Sequence, residues 1–441
     1  MKALVVGFAV TGQAAAAALL RRGATVVAVD DRGGPDLVRA AADLGVELVE
    51  APSVDRLAAL GAGVDVVVVS PGVPAGHPLF GLDLDAPVIS EIELAAGWLE
   101  VPIVAVTGTN GKTTVATLVT AMLEESGRRA VAAGNIGLTL AEAADMDADV
   151  FVVEVSSFQL ALTRSFRPEV AVWLNLAEDH LDWHPDMAHY ARSKARIWAN
   201  QRGEDVAVVN AEDPVVLDMA TTGPHRAPAG LVTFGLSRGD YRLRGDDLVG
   251  PDGGVVATTG DMWRALPHDV ANALAAAAAA RAMGAPPEAV AAGLRRYTGL
   301  PHRVSLVAEV DGVGWYDDSK ATTPASVVAA LGGFDSVVLV AGGRNKGLDL
   351  SPLGRQVDRV RAVVAIGESA GEVEAVFAGR RPVRTAGSME EAVEAAASFA
   401  RPGDAVLLSP GCASFDWYRS YGERGDDFAS AVRNLAERRD P

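Results

Sequence analysis

Short runs of β-branched and other apolar residues alternate with alanine- and leucine-rich stretches along the chain, and this alternation restricts the fold more than any other feature. Leu4–Val6, Thr25–Val29, Val64–Val69, Val150–Val155, Val170–Leu174, Val206–Val209, Val337–Val340, Val363–Ile366 and Ala405–Leu408 are such runs. Each is short enough to be a strand and too continuously apolar to keep one face in water. Strands of this kind are buried on both faces, which calls for a parallel sheet covered by helices on each side. The fold class is therefore α/β. At 441 residues a single core does not suffice; roughly 150 residues per domain gives about three domains.

The blocks are expected at 1–95, 96–298 and 299–441, with short hinges around Gly97 and Gly299. The first reads as a Rossmann-like domain and the last as a second one. The central block opens on the strand PIVAVTGT. Its segment from Tyr241 to Thr259 reads as a β-hairpin with a Gly-rich turn. A helix is expected from about Val270 to Met283, stopped by Gly284 and Pro286–Pro287. A short helix then ends near Tyr297, and the last block closes with an amphipathic stretch around Phe428 to Leu435.

Composition narrows the function classes. Lys and Arg number 39 against 57 Asp and Glu, a net charge of −18. So acidic a chain is poorly suited to nucleic acid or an anionic membrane, and any polyanion it binds must be met locally. The one cysteine, Cys412, excludes an intrachain disulfide and a cysteine metal cluster, which favours a reducing, cytoplasmic setting. The longest apolar stretch, Ala273–Ala280, is stopped by Arg281 and is far short of the roughly 20 residues of a membrane span. The opening MKALVVGFAVTGQ resembles a leader superficially, but Gly7, Thr11, Gly12 and Gln13 break its apolar core, and strand, turn and helix are expected instead.

The sharpest motif is Thr107-Gly108-Thr109-Asn110-Gly111-Lys112-Thr113-Thr114, between a strand and a helix. Small residues let backbone N–H groups wrap a phosphate while the helix N-terminus adds positive potential. Lys112 would reach the β/γ-phosphates and Thr113 would present its hydroxyl to magnesium. The strict phosphate-loop pattern wants glycine where Val106 stands, so an ordinary strand–helix turn is the competing reading. The second sheet-type turn, GFAVTG (Gly7–Gly12), lacks the dinucleotide spacing and by itself is a plain βα turn. His180 and His184 are four apart, but Leu181 occupies the position of a zinc protease's glutamate, and that chemistry is rejected.

TGTNGKTT, GNIG (Gly134–Gly137), EVSSFQL (Glu154–Leu160), NLAEDHLD (Asn175–Asp182), Asn272, LPHR (Leu300–Arg303) and DDSKAT (Asp317–Thr322) follow one another in the order and spacing of the Mur ligases. The chain resembles that family over essentially its whole length, and EVSSFQL, DDSKAT and SPGCASFD (Ser409–Asp416) are most similar to its D-glutamate-adding branch. The resemblance implies a three-domain ATP-dependent amide-bond-forming ligase of peptidoglycan precursor synthesis, with a central phosphate-loop ATPase domain. ATP and Mg2+ are the implied cofactors, UDP-N-acetylmuramoyl-L-alanine and D-glutamate the implied substrates, and a monomer is expected.

The site residues carried by this resemblance form four groups. ATP would meet Gly108, Thr109, Asn110, Gly111, Lys112, Thr113, Thr114, Asn272, Arg303 and Asp318. The uridine-diphosphate substrate would meet Val10, Thr11, Asp30, Asp31, Arg32, Ser70, Gly72, Asn135, Ser157 and Gln159, with Asp31 standing where a neutral residue is expected. D-Glutamate would meet Thr322, Lys346, Ser414, Phe415 and Tyr421. Thr113, Glu154, His180 and Lys194, the last as a carbamate, would hold magnesium. Lys112, His180, Lys194 and Lys320 would act in catalysis. Taken one at a time, several of these have plainer readings: Lys194 as a solvated helix lysine, Arg303 as half of a salt bridge, and Gly342–Gly347 as a surface turn. Two rival functions stand beside the ligase. One is a Mur-type or folylpolyglutamate-type enzyme using another amino acid, and the other is a non-catalytic nucleotide-binding scaffold.

Overall fold

The structure, a computed structural model, describes residues 1–223, 225–227 and 230–439. Among them the strands form three sheets, each built mainly from the apolar runs that define the sequence. The chain divides into two compact units, one of residues 1–176, 180–262 and 271–297 and the other of 177–179, 263–270 and 298–441.

In the first unit, β1 (Lys2–Val6), β2 (Thr25–Asp30), β3 (Glu47–Glu50), β4 (Val66–Val69) and β5 (Val88–Ser90) lie in the order β3-β2-β1-β4-β5, all parallel. The order reverses direction between β1 and β4, which opens a crevice at the carboxyl ends of those strands. The same unit holds β6 (Ile103–Thr107), β7 (Ala130–Gly134), β8 (Val150–Glu154), β9 (Val170–Trp173), β10 (Val206–Asn210), β11 (Leu231–Gly235), β12 (Tyr241–Arg244), β13 (Asp247–Val249) and β14 (Val255–Thr258). Their order is β14-β13-β12-β11-β10-β9-β6-β8-β7. Every residue of β6, β8 and β9 is buried, as two-sided helix cover requires. The expected hairpin at 241–259 is instead a three-stranded antiparallel meander, because both Gly245 and Gly253 take positive φ and turn the chain twice.

In the second unit, β15 (Ser305–Val310), β16 (Val313–Asp317), β17 (Val337–Gly342), β18 (Val360–Ile366), β19 (Val383–Ala386) and β20 (Ala405–Leu408) lie in the order β15-β16-β20-β17-β18-β19. Only the β15–β16 pair is antiparallel among these. The central β17 and β20 are buried throughout. The alanine-rich helix runs Pro267–Ala282, three residues earlier than the sequence suggests, since proline is favoured in a helix's first turn. No helix among the described residues is long and apolar enough to cross a membrane.

Candidate active site

The loop after β6 is held from two directions. Asn175, just beyond β9, accepts from Asn110 N–H at 2.9 Å through its side-chain oxygen and donates to Asn110 O at 3.1 Å. Its own backbone oxygen accepts from Thr109 N–H at 3.1 Å. Lys112 Nζ folds back onto Gly108 O and Thr109 O, 3.0 Å each, so the ammonium sits over the loop. The following helix, Lys112–Glu125, starts from Gly111 at φ +86° without a side-chain cap. A Cβ on Gly111 would stand 2.6 Å from Asn272 Oδ1, so Asn272 lies directly against the loop. Thr114 is buried on the helix's inner side.

Glu154, buried at the end of β8, joins two of the expected groups. It accepts from Thr113 Oγ1 at 2.7 Å and from Asn135 Nδ2 at 2.9 Å. Lys194 is only 2% exposed, which overturns the solvated-lysine reading. Its Nζ donates to Gly108 O at 2.9 Å and lies 4.8 Å from the Tyr190 ring. The Tyr190 hydroxyl pairs with Thr109 Oγ1 at 3.2 Å, and the His180 ring packs edge-on 6.2 Å away. Tyr190 thus gathers His180 and Lys194 beside the loop. His180 takes φ +58°, a left-handed conformation that few residues other than glycine adopt. Among the described residues no three His, Cys, Asp or Glu side chains cluster as a ready-made metal cage.

Ser157 and Gln159 are buried. The Gln159 amide oxygen accepts from the Ser156 N–H and hydroxyl, a capping box at the head of Ser157–Ala161. The Ser157 hydroxyl is 2.9 Å from His184 Nε2, and His184 Nδ1 faces His189 Nδ1 at 2.9 Å. Burial, then the charges of His189, His180 and Lys194, push His184 down to about 3, so it is neutral at physiological pH. In the sequence Asn175 stands out only as the head of NLAEDHLD and His184 only as half of a rejected zinc spacing, neither as a residue that shapes the site. An asparagine just after a strand, or a histidine in the long loop that follows, is too ordinary to reveal such a role until the neighbouring segments are in place.

At the crevice of the first sheet, Asp30 closes β2 and accepts from Phe8 N–H (2.7 Å) and Arg32 N–H (3.0 Å). Ser70 Oγ donates to Gly7 O at 2.6 Å, tying β4 to the first turn, where a Cβ on Gly12 would run into Gly7 O. Val10 and Thr11 begin the helix Val10–Arg21 there, and Gly72 follows Ser70 across the crevice. Asp31 pairs with His77 Nε2 at 3.2 Å.

The second unit brings the remaining positions to the carboxyl ends of the adjacent β16, β20 and β17. His302 Nδ1 is 2.6 Å from Asp317 Oδ2, a pairing the sequence reading did not anticipate. Asp318 is buried and accepts from Ser409 Oγ at 2.7 Å; burial pushes its carboxyl up to about 7, against the opposing pull of that hydroxyl and of Arg303's charge. Lys320 Nζ rests 3.8 Å over the Tyr421 ring. Arg344 and Ala413 form a backbone bridge that sets the loop carrying Lys346 beside buried Ser414. Asn345 organises that loop through its bonds to Leu348. Thr322 lies just before the helix Pro324–Leu331, capped by Thr323, whereas Phe415 stands 58% exposed.

The sequence matches the Mur ligase middle domain over residues 106–280 and the Mur ligase glutamate ligase domain over residues 302–412. It is 45% identical to the UDP-N-acetylmuramoylalanine--D-glutamate ligase of Desulfosudis oleivorans, over 99% of this chain and 97% of the relative. It is equally 45% identical to the enzyme of that name from Frankia casuarinae, over 98% and 93%. Among solved structures, a pseudomurein peptide ligase type C from Methanothermus fervidus superposes with a TM-score of 0.64 at 18% identity, covering 98% of this chain and 99% of the other. MurF ligase from Thermotoga maritima in complex with ADP superposes with a TM-score of 0.62 at 18% identity, covering 94% and 95%. At that identity these two speak to the fold.

Proposed function

The chain belongs to the Mur ligase family, and from that premise we propose that it joins D-glutamate to UDP-N-acetylmuramoyl-L-alanine with cleavage of ATP. The reading rests on the near-full-length similarity to ligases of that specificity; the site geometry agrees with it. A carboxylate oxygen of the alanyl group attacks the γ-phosphorus of ATP, the bond to the bridging oxygen breaks, and ADP leaves an acyl phosphate. The D-glutamate amine then attacks the acyl carbon, loses a proton, and inorganic phosphate departs with the bonding pair of the C–O bond. No protein nucleophile is needed. The protein's part is to position the reactants and to neutralise charge.

In this reading Lys112 and the loop N–H groups hold the β- and γ-phosphates, Asn272, Arg303 and Asp318 hold the rest of the nucleotide, and Lys320 faces the transferring phosphoryl group. Val10, Thr11, Asp30, Asp31, Arg32, Ser70 and Gly72 serve the uridine diphosphate. Asn135, Ser157 and Gln159 border the sugar–peptide part, the latter two through the local frame. Thr322, Lys346, Ser414, Phe415 and Tyr421 take D-glutamate, whose two carboxylates need a cation and hydroxyl donors.

Magnesium suits the donors present: the Thr113 hydroxyl and Glu154 carboxylate already meet at 2.7 Å, and both are hard oxygen ligands. When bound, it would screen the phosphate charge. His180 and a carbamate formed from carbon dioxide and neutral Lys194, with release of a proton, would complete the ligand set. The working domains are 1–95, 96–298 and 299–441, in a cytoplasmic monomer.

The test is phosphate release from ATP with UDP-N-acetylmuramoyl-L-alanine and a panel of D- and L-amino acids. Turnover confined to D-glutamate is expected. Turnover with another amino acid would reassign the enzyme within the family, and nucleotide binding without turnover would make it a scaffold.

A further inference from the structure

The helix Tyr421–Arg439 carries, one turn from Tyr421, an arginine that the proposed chemistry does not use. Arg424 is 1% exposed. It donates three hydrogen bonds, every one to a neutral oxygen: Nε to Ser319 Oγ (2.9 Å), Nη2 to Ser319 O (2.8 Å) and Nη1 to Cys412 O (3.1 Å). Ser319 lies three residues before Thr322, and Cys412 two before Ser414. The Ser319 hydroxyl also donates to Tyr421 O at 2.7 Å, closing a ring of contacts with the same helix turn. The third pocket segment is equally near. A Cβ on Gly343, at φ +139°, would run into Ala413 O and stand 3.1 Å from Arg424 Nη1.

We propose that Arg424 is a positioning residue for the amino-acid pocket: its guanidinium sets the spacing between the segment bearing Thr322 and the segments bearing Ser414 and Lys346. This rests on reading those residues as the D-glutamate pocket. A guanidinium is planar with donors at fixed angles, so two oxygens of Ser319 and one of Cys412 are held in one geometry; an ammonium has no such fork. Burying a cation on neutral oxygens is costly, and desolvation pushes Arg424 down to about 10 against the opposing charges of Asp416 and Asp317, neither of which it bonds directly. Packing alone would be met by an apolar side chain, whereas a pocket for an amino acid with two carboxylates gains from both the fixed spacing and the buried positive charge. Lys320 rests on the Tyr421 ring and donates its own N–H to His302 O, and Arg424 bonds to neither of these partners. Amino-acid binding should therefore depend on Arg424 more than the phosphoryl-transfer step does.

The experiment uses full-length Arg424→Lys, Arg424→Met and Ser319→Ala proteins. Acyl phosphate formation is read as hydroxamate with hydroxylamine replacing D-glutamate, alongside KM and kcat for D-glutamate. Arg424→Lys should raise the D-glutamate KM at least tenfold and leave the hydroxamate rate within about threefold. Arg424→Met should raise KM further, and Ser319→Ala less, in the same direction. An unchanged KM in Arg424→Lys, or parallel loss of both activities, overturns the proposal. Should the Arg424 variants not fold, Ser319→Ala decides, and an unchanged KM there overturns it. If the wild-type chain makes hydroxamate but does not use D-glutamate, the amino-acid assignment fails instead.

Discussion

Glu91, the first residue of the helix Glu91–Ala96, is buried with one oxygen accepting from Ala141 N–H at 2.6 Å and the other, Oε2, without a partner. Burial pushes its carboxyl from an ordinary 4.5 up to about 7; the Ala141 N–H opposes this and the charge of Glu142 adds to it. The native state therefore keeps this proton to about pH 7, while the unfolded chain releases it near 4.5. The native state binds more protons between those values, so the group's contribution is full below about pH 4.5 and is lost as pH rises through 7. At 1.36 kcal/mol per pH unit, the loss between about pH 5 and pH 8 is about 2.5 kcal/mol. Glu91→Gln keeps the acceptor for Ala141 and never ionises. Its stability relative to wild type should improve by about 2.5 kcal/mol from about pH 5 to pH 8, or about 5 °C in relative Tm at roughly 2 °C per kcal/mol. Parallel thermal melts of both proteins across that range measure it. A difference in Tm that stays constant with pH would refute the reasoning, because it would mean that Glu91 holds the same charge folded and unfolded.

Glu93, two residues on, should respond oppositely: it accepts from Arg164 N–H, Ser165 N–H, Ser165 Oγ and Phe166 N–H at 2.6–3.0 Å. Glu93→Gln turns an amide donor toward donors and should cost about 2–4 kcal/mol at neutral pH, read by urea denaturation. Gly111→Ala places a methyl on Asn272 at a positive φ, so the KM for ATP should rise at least tenfold in steady-state assays. Lys346→Ala should raise the KM for D-glutamate at least tenfold with nucleotide affinity, measured calorimetrically, within about twofold. Lys194→Ala should be nearly inactive, with short-chain carboxylates restoring part of the turnover; full activity would remove Lys194 from the site.

What the sequence determined by itself was whatever local pattern dictates. Continuous apolar runs such as Val66–Val69 and Val337–Val340 have nowhere to lie but inside parallel sheets, and TGTNGKTT spells its own strand–loop–helix turn. The strands Glu47–Glu50, Val88–Ser90 and Ala130–Gly134 did not announce themselves, since short, polar or alanine-rich segments become strands only when a neighbour supplies hydrogen bonds. Lys194 and Arg424 show the same limit at the site: each is a basic residue on a helix, indistinguishable in sequence from a solvated one, and each proves buried on backbone oxygens far away in the chain. Hydrophobic periodicity is a property of neighbours along the chain. The partner of a buried charge is chosen by sheet order and loop closure, so only the tertiary structure could decide it.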